Sequence, residues 1–146
     1  MAFLPVFLLL AMAAILILQL LKVEPTPQPA FTLFLTEERA PVIWWLLGLI
    51  AIAGPVAEEL FFRGLLYRWL RPRLGIWRGL IVTALLFAVL HTNLMVFLPI
   101  FGLGLLLGWA YEQTGSLAAP IAIHIFHNGG MLALASVLKS LLVALR

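Results

Sequence analysis

The stretch APVIWWLLGLIAIAGPVAEELFFR, residues 40–63, decides the fold. Ala40–Ala57 carries no charge, and the apolar pattern continues through Glu58 and Glu59 to Arg63 with no breaker other than Pro55. An apolar run of about 18 or more residues is long enough to cross a bilayer. Pro41 stands where a helix would begin, and Trp44 and Trp45 suit the aromatic belt at a membrane surface. A charged side chain near the bilayer centre costs about 2.5–3.5 kcal/mol on insertion scales, so such a residue usually faces a bundle interior and serves a function. Two acids and an arginine inside one apolar segment therefore mark both the fold class and the place to look for chemistry.

The rest of the 146-residue chain agrees. Hydrophobic residues make up 64% and charged residues only 10%, against about 25% charge in a soluble domain. Met1–Leu21, Gly79–Tyr111 and Gln113–Leu138 are also free of Asp, Glu, Lys and Arg. The expectation is an all-α, polytopic transmembrane bundle with about five membrane segments, some short or re-entrant, forming one membrane domain over residues 1–146. Helices are required because lipid offers no partner to an unpaired backbone group. The formal charge of +3 comes from few, clustered bases, which argues against a nucleic-acid surface. With no cysteine there is no disulfide framework, thiolate site or iron–sulfur centre.

Residues 1–40 read as a first transmembrane helix and a proline-rich extramembrane linker. Met1–Leu21 lacks the basic n-region and cleavage site of a signal peptide. Pro25, Pro27 and Pro29 favour an extended conformation over Lys22–Arg39. Arg68, Arg71, Arg73 and Arg78, broken by Pro72 and Gly75, form a turn with four bases and no acid. Such a turn is expected on the cytoplasmic side, in a multi-pass protein of a bacterial cytoplasmic membrane. Gly79–Tyr111 is long for one helix and short for two full spans, so breaks are expected at Thr92-Asn93 and at Pro99. A last helix, from about Ala118 to Ala144, carries His124, His127 and Asn128.

The polar residues that lipid should forbid are Glu58, Glu59, Arg63, His91, His124, His127 and Asn128. Glu59 and Arg63 are four apart with the acid first, the favourable order for a helical pair. His124 and Asn128 are also four apart, and Phe87 lies one turn before His91. At about 1.5 Å per residue, Glu58 lies roughly 15 Å from the arginine turn, His91 about 20 Å beyond Arg78, and His124 and Asn128 about 11–17 Å beyond Ser116. Three segments thus bring polar groups to a similar depth. Two adjacent carboxylates share one arginine, which leaves one acid over to act as a general base. Histidine and asparagine N–H groups suit a developing oxyanion, a term worth about 3 kcal/mol per donor. No serine or cysteine lies in a comparable context, so peptide hydrolysis by activated water is the expected chemistry.

Glu58-Glu59-x-x-x-Arg63, Phe87-x-x-x-His91 and His124-x-x-x-Asn128, in that order, resemble the three motifs of the CPBP family. These are the Rce1-type CAAX prenyl proteases and the bacteriocin-processing or self-immunity (Abi) proteins. Tyr111–Pro120 also resembles that family's approach to its last motif, and the likeness covers roughly Pro41–Leu138, a protease-like core at 41–138. The resemblance implies an intramembrane endopeptidase with Glu58 as the water-activating base. His91 and Asn128 would shape the oxyanion site, with His124 as a further catalytic residue and Glu59 and Arg63 as supports. It implies two mechanisms, a metal-free glutamate protease, slightly favoured, and a zinc enzyme with Glu58, His91 and His124 as ligands. No compact ligand motif such as H-E-x-x-H is present. The expected substrate is a membrane-embedded protein or peptide, the expected surroundings are lipid, and no nucleic acid is involved.

Two readings compete with the enzyme. One is a non-catalytic interaction or bacteriocin-immunity protein whose polar cluster only joins helices. The other is an ion or proton carrier, which is disfavoured because no ladder of acids crosses the membrane. His127 matches no motif position and is assigned a structural role.

Overall fold

The computed structural model describes residues 3–24 and 29–145, and these are all-helical apart from short turns. Helix α1 spans Phe3–Leu20, α2 Pro29–Thr36, α3 Ala40–Gly48, α4 Gly54–Glu59, α5 Arg68–Leu90, α6 Leu94–Thr114 and α7 Ala118–Ala144. Two π-helical segments, Leu49–Ala53 and Leu60–Tyr67, join α3 to α4 and α4 to α5, so helical backbone is continuous from Ala40 to Arg68 and on into α5. Ala40–Leu90, Leu94–Thr114 and Ala118–Leu141 are each long and apolar enough to cross a membrane. The protein is a multi-pass membrane protein.

The first of these stretches is two legs. Gly75 has φ 76 and ψ 175, a conformation open to glycine, and the chain folds back there. Phe62 on one leg meets Phe87 on the other, edge to face, with ring centroids 5.0 Å apart. Further down the hairpin, Gly79 lies against the Tyr67 ring and the Arg71 backbone. The expected arginine turn is therefore present. Tyr67 Oη donates to Glu112 Oε2 at 2.7 Å, and Arg71 Nε donates to the same carboxylate at 2.8 Å, which ties the turn to the end of α6.

Helix α6 packs along α5 through small residues, as in many membrane bundles. A Cβ on Gly104 would stand 3.1 Å from Ala84 Cα, and one on Gly108 would stand 2.7 Å from Leu80 Cδ2. These two glycines, one turn apart, let the backbones approach. The break before α6 falls where expected. Thr92 adopts φ 49, and the Asn93 side chain caps the helix by accepting from Met95 N–H at 2.9 Å. At the other end Gly115, φ 64, closes α6 in the left-handed cap.

Two expectations need correction. α6 runs through Pro99 without a turn. Pro99 is buried inside the bundle, where neighbouring helices tolerate a proline that would break an exposed helix. Second, Lys22–Arg39 is not an extended linker throughout, because Pro29 opens α2. Proline at a first helical position loses no hydrogen bond, and Phe34 is buried against Leu132 and Ala135 of α7. Pro25 and Pro27 lie outside the described residues. In the loop after α2, the Arg39 side chain bonds Glu37 and holds its carboxyl down to about 2, below the usual carboxylate range. The Glu37 carbonyl accepts from Lys139 Nζ at 3.1 Å, which anchors this loop to α7.

Candidate active site

Glu58 and Glu59 close α4, directly before the second π segment. Successive helical positions point about 100° apart, and the two acids accordingly diverge. Glu59 turns fully inward with no exposure, while the Glu58 side chain remains 37% exposed. One turn on, Arg63 is also fully buried, and its Nη1 donates to Glu59 Oε1 at 2.7 Å. Arg63 Nη2 donates to the Gly104 carbonyl of α6 at 2.8 Å. Its guanidinium also stands over the Phe87 ring, 4.9 Å from the centroid. A buried pair of this kind needs such extra partners to offset the loss of water.

His124, buried on α7, joins the pair. Its Nδ1 lies 2.9 Å from Glu59 Oε1. A carboxylate accepts, so Nδ1 carries the proton and the ring is held by Glu59. The other nitrogen, Nε2, faces Glu58 Oε2 at 3.8 Å. That oxygen is buried and, like Glu59 Oε2 and Arg63 Nε, has no hydrogen-bond partner among the described residues. The result is a chain from Gly104 through Arg63, Glu59 and His124 that ends at an uncommitted carboxylate.

His91 ends α5, where its Nδ1 lies 2.7 Å from the Phe87 carbonyl. The Phe87 ring stacks obliquely on His91, centroids 4.7 Å apart, and meets His124 edge-on at 5.7 Å. Phe87 thus seats both histidines, as the one-turn spacing to His91 suggested. A carbonyl only accepts, so His91 Nδ1 bears the proton and Nε2 is left with its lone pair. His91 donates from Nε2 only as an imidazolium.

Asn128 behaves differently from its expected place beside His124. Its Nδ2 donates to the Ile50 carbonyl at 3.0 Å, and it bonds none of the other site residues among the described residues. His127 is half-buried on the same helix. The structure thus brings Glu58, Glu59, Arg63 and His124 into one chain, attaches His91 through Phe87, and sets Asn128 on the first π segment.

Reading the sequence by charge alone missed Gly104, Ile50 and Pro55. A usable signal existed for two of them, the Gly104-x-x-x-Gly108 spacing and a proline inside an apolar helix three residues before Glu58. A zinc site built on Glu58, His91 and His124 needs three converging lone pairs. Among the described residues no three His, Asp or Glu side chains are arranged to hold a metal ion, so these residues do not fit a zinc site in this arrangement.

The family model described as type II CAAX prenyl endopeptidase Rce1-like matches residues 40–130, more than half of the chain. An uncharacterised 24.3 kDa protein of Escherichia coli is 30% identical over 102 residues, 66% of this chain and 47% of its own. The membrane-embedded CAAX protease MroQ of Staphylococcus aureus is 34% identical over 87 residues, 55% of this chain and 35% of its own. The uncharacterised protein YpbD of Bacillus subtilis is 35% identical over 93 residues, 61% of this chain and 43% of its own. The chain therefore spans less than half the length of these curated relatives. No solved structure matches it. By the span of the family match and the three motifs within it, the chain belongs to the Rce1-like family of type II CAAX prenyl endopeptidases.

Proposed function

We propose that this chain is an intramembrane endopeptidase in which Glu58 activates water against a peptide bond of a membrane-embedded protein or peptide. The observation that carries the proposal is the Glu58 carboxylate, partly exposed, without an arginine partner and 3.8 Å from a histidine that its neighbour holds in place. A structural ion pair would use one acid; Arg63 and Glu59 already form it.

The chemistry follows from the proton positions. Water gives a proton to Glu58 as its oxygen bonds the scissile carbonyl carbon. The Glu58 carboxyl then faces His124 Nε2, whose lone pair is free because Nδ1–H is committed to Glu59. The pair holds the proton until it passes to the departing amine and the C–N bond breaks. The anionic oxygen of the tetrahedral intermediate is stabilised by the remaining Asn128 N–H and by His91 in its imidazolium form. No step uses a metal ion. In this reading the arginine turn lies on the cytoplasmic side of a bacterial membrane.

The test is cleavage by the purified protein in proteoliposomes. Membrane-anchored peptides, with and without a prenyl group, are presented, and products are sequenced by mass spectrometry. Discrete new termini that depend on Glu58 support an endopeptidase. Binding without any cleavage, unchanged when Glu58 is replaced, would instead favour an interaction or immunity protein.

A further inference from the structure

The first π segment has a specific end. Gly54 N–H bonds the Leu49 carbonyl, five residues back, in the π register. The next bond in that register would run from residue 55 to the Ile50 carbonyl, but residue 55 is proline and has no N–H. The ordinary helical partner of Ile50, the N–H of Gly54, is already turned to Leu49. Ile50 is therefore left with a carbonyl that neither register satisfies. Asn128 fills the gap from α7, Nδ2 to oxygen 3.0 Å.

We infer that Pro55 and Ile50 are positioning residues for Asn128: the carbonyl that Pro55 leaves unpaired pins one N–H of the Asn128 amide and so aims the other at the scissile carbonyl. The inference rests on the peptidase reading above for the purpose of the second N–H, but the pinning stands on geometry. A carbonyl accepts only, so the amide nitrogen, not the amide oxygen, must face Ile50. An amide group is planar, so fixing one N–H fixes the direction of the other. A donor held in advance stabilises developing charge without reorganising during the reaction. Gly54 suits the same device, since a Cβ there would press on the Leu49 carbonyl at 3.1 Å. π-helical turns often sit at functional sites, and here the turn supplies an acceptor that a regular helix lacks.

Pro55→Ala restores an N–H at position 55 and offers Ile50 a backbone partner. Asn93 and Asn128 are the only asparagines, so protein labelled with [15N]asparagine gives two side-chain amide signals, and Asn128→Ala assigns them. In the wild type, one Asn128 amide proton should exchange slowly and its twin quickly. In Pro55→Ala both should exchange quickly. On a cleaved peptide, Pro55→Ala should lower kcat by about 10²-fold, the scale of a misplaced catalytic group, with KM nearly unchanged. The same change in an Asn128→Ala background should have no further effect. Two fast-exchanging protons in the folded wild type, or slow exchange retained in Pro55→Ala, would overturn the inference. So would an equal kcat loss in both backgrounds, which marks general damage. If no peptide is cleaved at all, the peptidase reading fails while the exchange result still decides the pinning.

Discussion

His124 Nδ1 lies 2.9 Å from Glu59 Oε1, and this contact turns the opposite ring nitrogen toward Glu58. Two adjacent acids thereby take different parts. Glu59, fully buried and paired with Arg63, holds the histidine, whereas Glu58 is partly exposed, and in the proposed reaction its carboxylate takes the proton from water. The difference follows from helix geometry, since neighbours in a helix cannot face the same way.

Arg63→Ala should be costly for folding before it is costly for activity. It leaves Glu59 as a buried charge with no guanidinium, a situation worth about 3–5 kcal/mol. Arg63→Lys keeps the charge but loses the fork that reaches both Glu59 and Gly104. Thermal unfolding in detergent should rank the proteins wild type, then Arg63→Lys, then Arg63→Ala.

Gly104→Ala should separate α5 from α6. The added methyl meets Ala84 Cα and Cβ at 3.1 Å and Phe87 Cδ1 at 3.3 Å, and Ala84 and Phe87 are fully buried. Overpacking of this kind costs about 1–3 kcal/mol, and it also moves the carbonyl that holds Arg63. Gly129→Ala is the control, because nothing lies within 4 Å of its added methyl. It should be neutral or stabilising by up to about 1 kcal/mol in the same melt.

Tyr67→Phe should loosen the arginine turn while sparing the chemistry. It removes the 2.7 Å bond to Glu112 but leaves the Arg71–Glu112 pair. The expected loss is about 1 kcal/mol of stability, with the cleavage rate per folded molecule unchanged. Melting temperature and rate measured on one preparation check both halves.

Chelation should leave the activity alone. Treatment with 1,10-phenanthroline and metal analysis of the purified protein should find an unchanged rate and no stoichiometric zinc. Parallel loss of bound zinc and activity would contradict the metal-free reaction.

Charge in apolar surroundings was legible from the sequence, and so was the Glu59–Arg63 pair, because i to i+4 spacing fixes which side chains share a face. The seating of His91 on Phe87 was legible for the same reason. What spacing alone hid was where each face points. His124 and Asn128 share a stripe of α7, yet one reaches Glu59 and the other Ile50, because α7 packs across both α4 and the π segment before it. The Ile50 carbonyl that Pro55 leaves unpaired takes its partner from α7, 78 positions along the chain, which a local pattern does not contain. Pro99 misled for a related reason, since its effect depends on burial. Helix α2 was missed because Phe34 is buried in a cluster with Leu132 and Ala135, about a hundred positions away on α7.

The assignment of Glu58 as the base is tested by the single-turnover cleavage rate of Glu58→Gln against wild type. Gln keeps the shape and removes the proton acceptor, so the fold should melt at the same temperature while the rate falls by about 10²–10⁴-fold, the usual contribution of a general base. A folded Glu58→Gln protein that cleaves as fast as wild type would contradict the assignment.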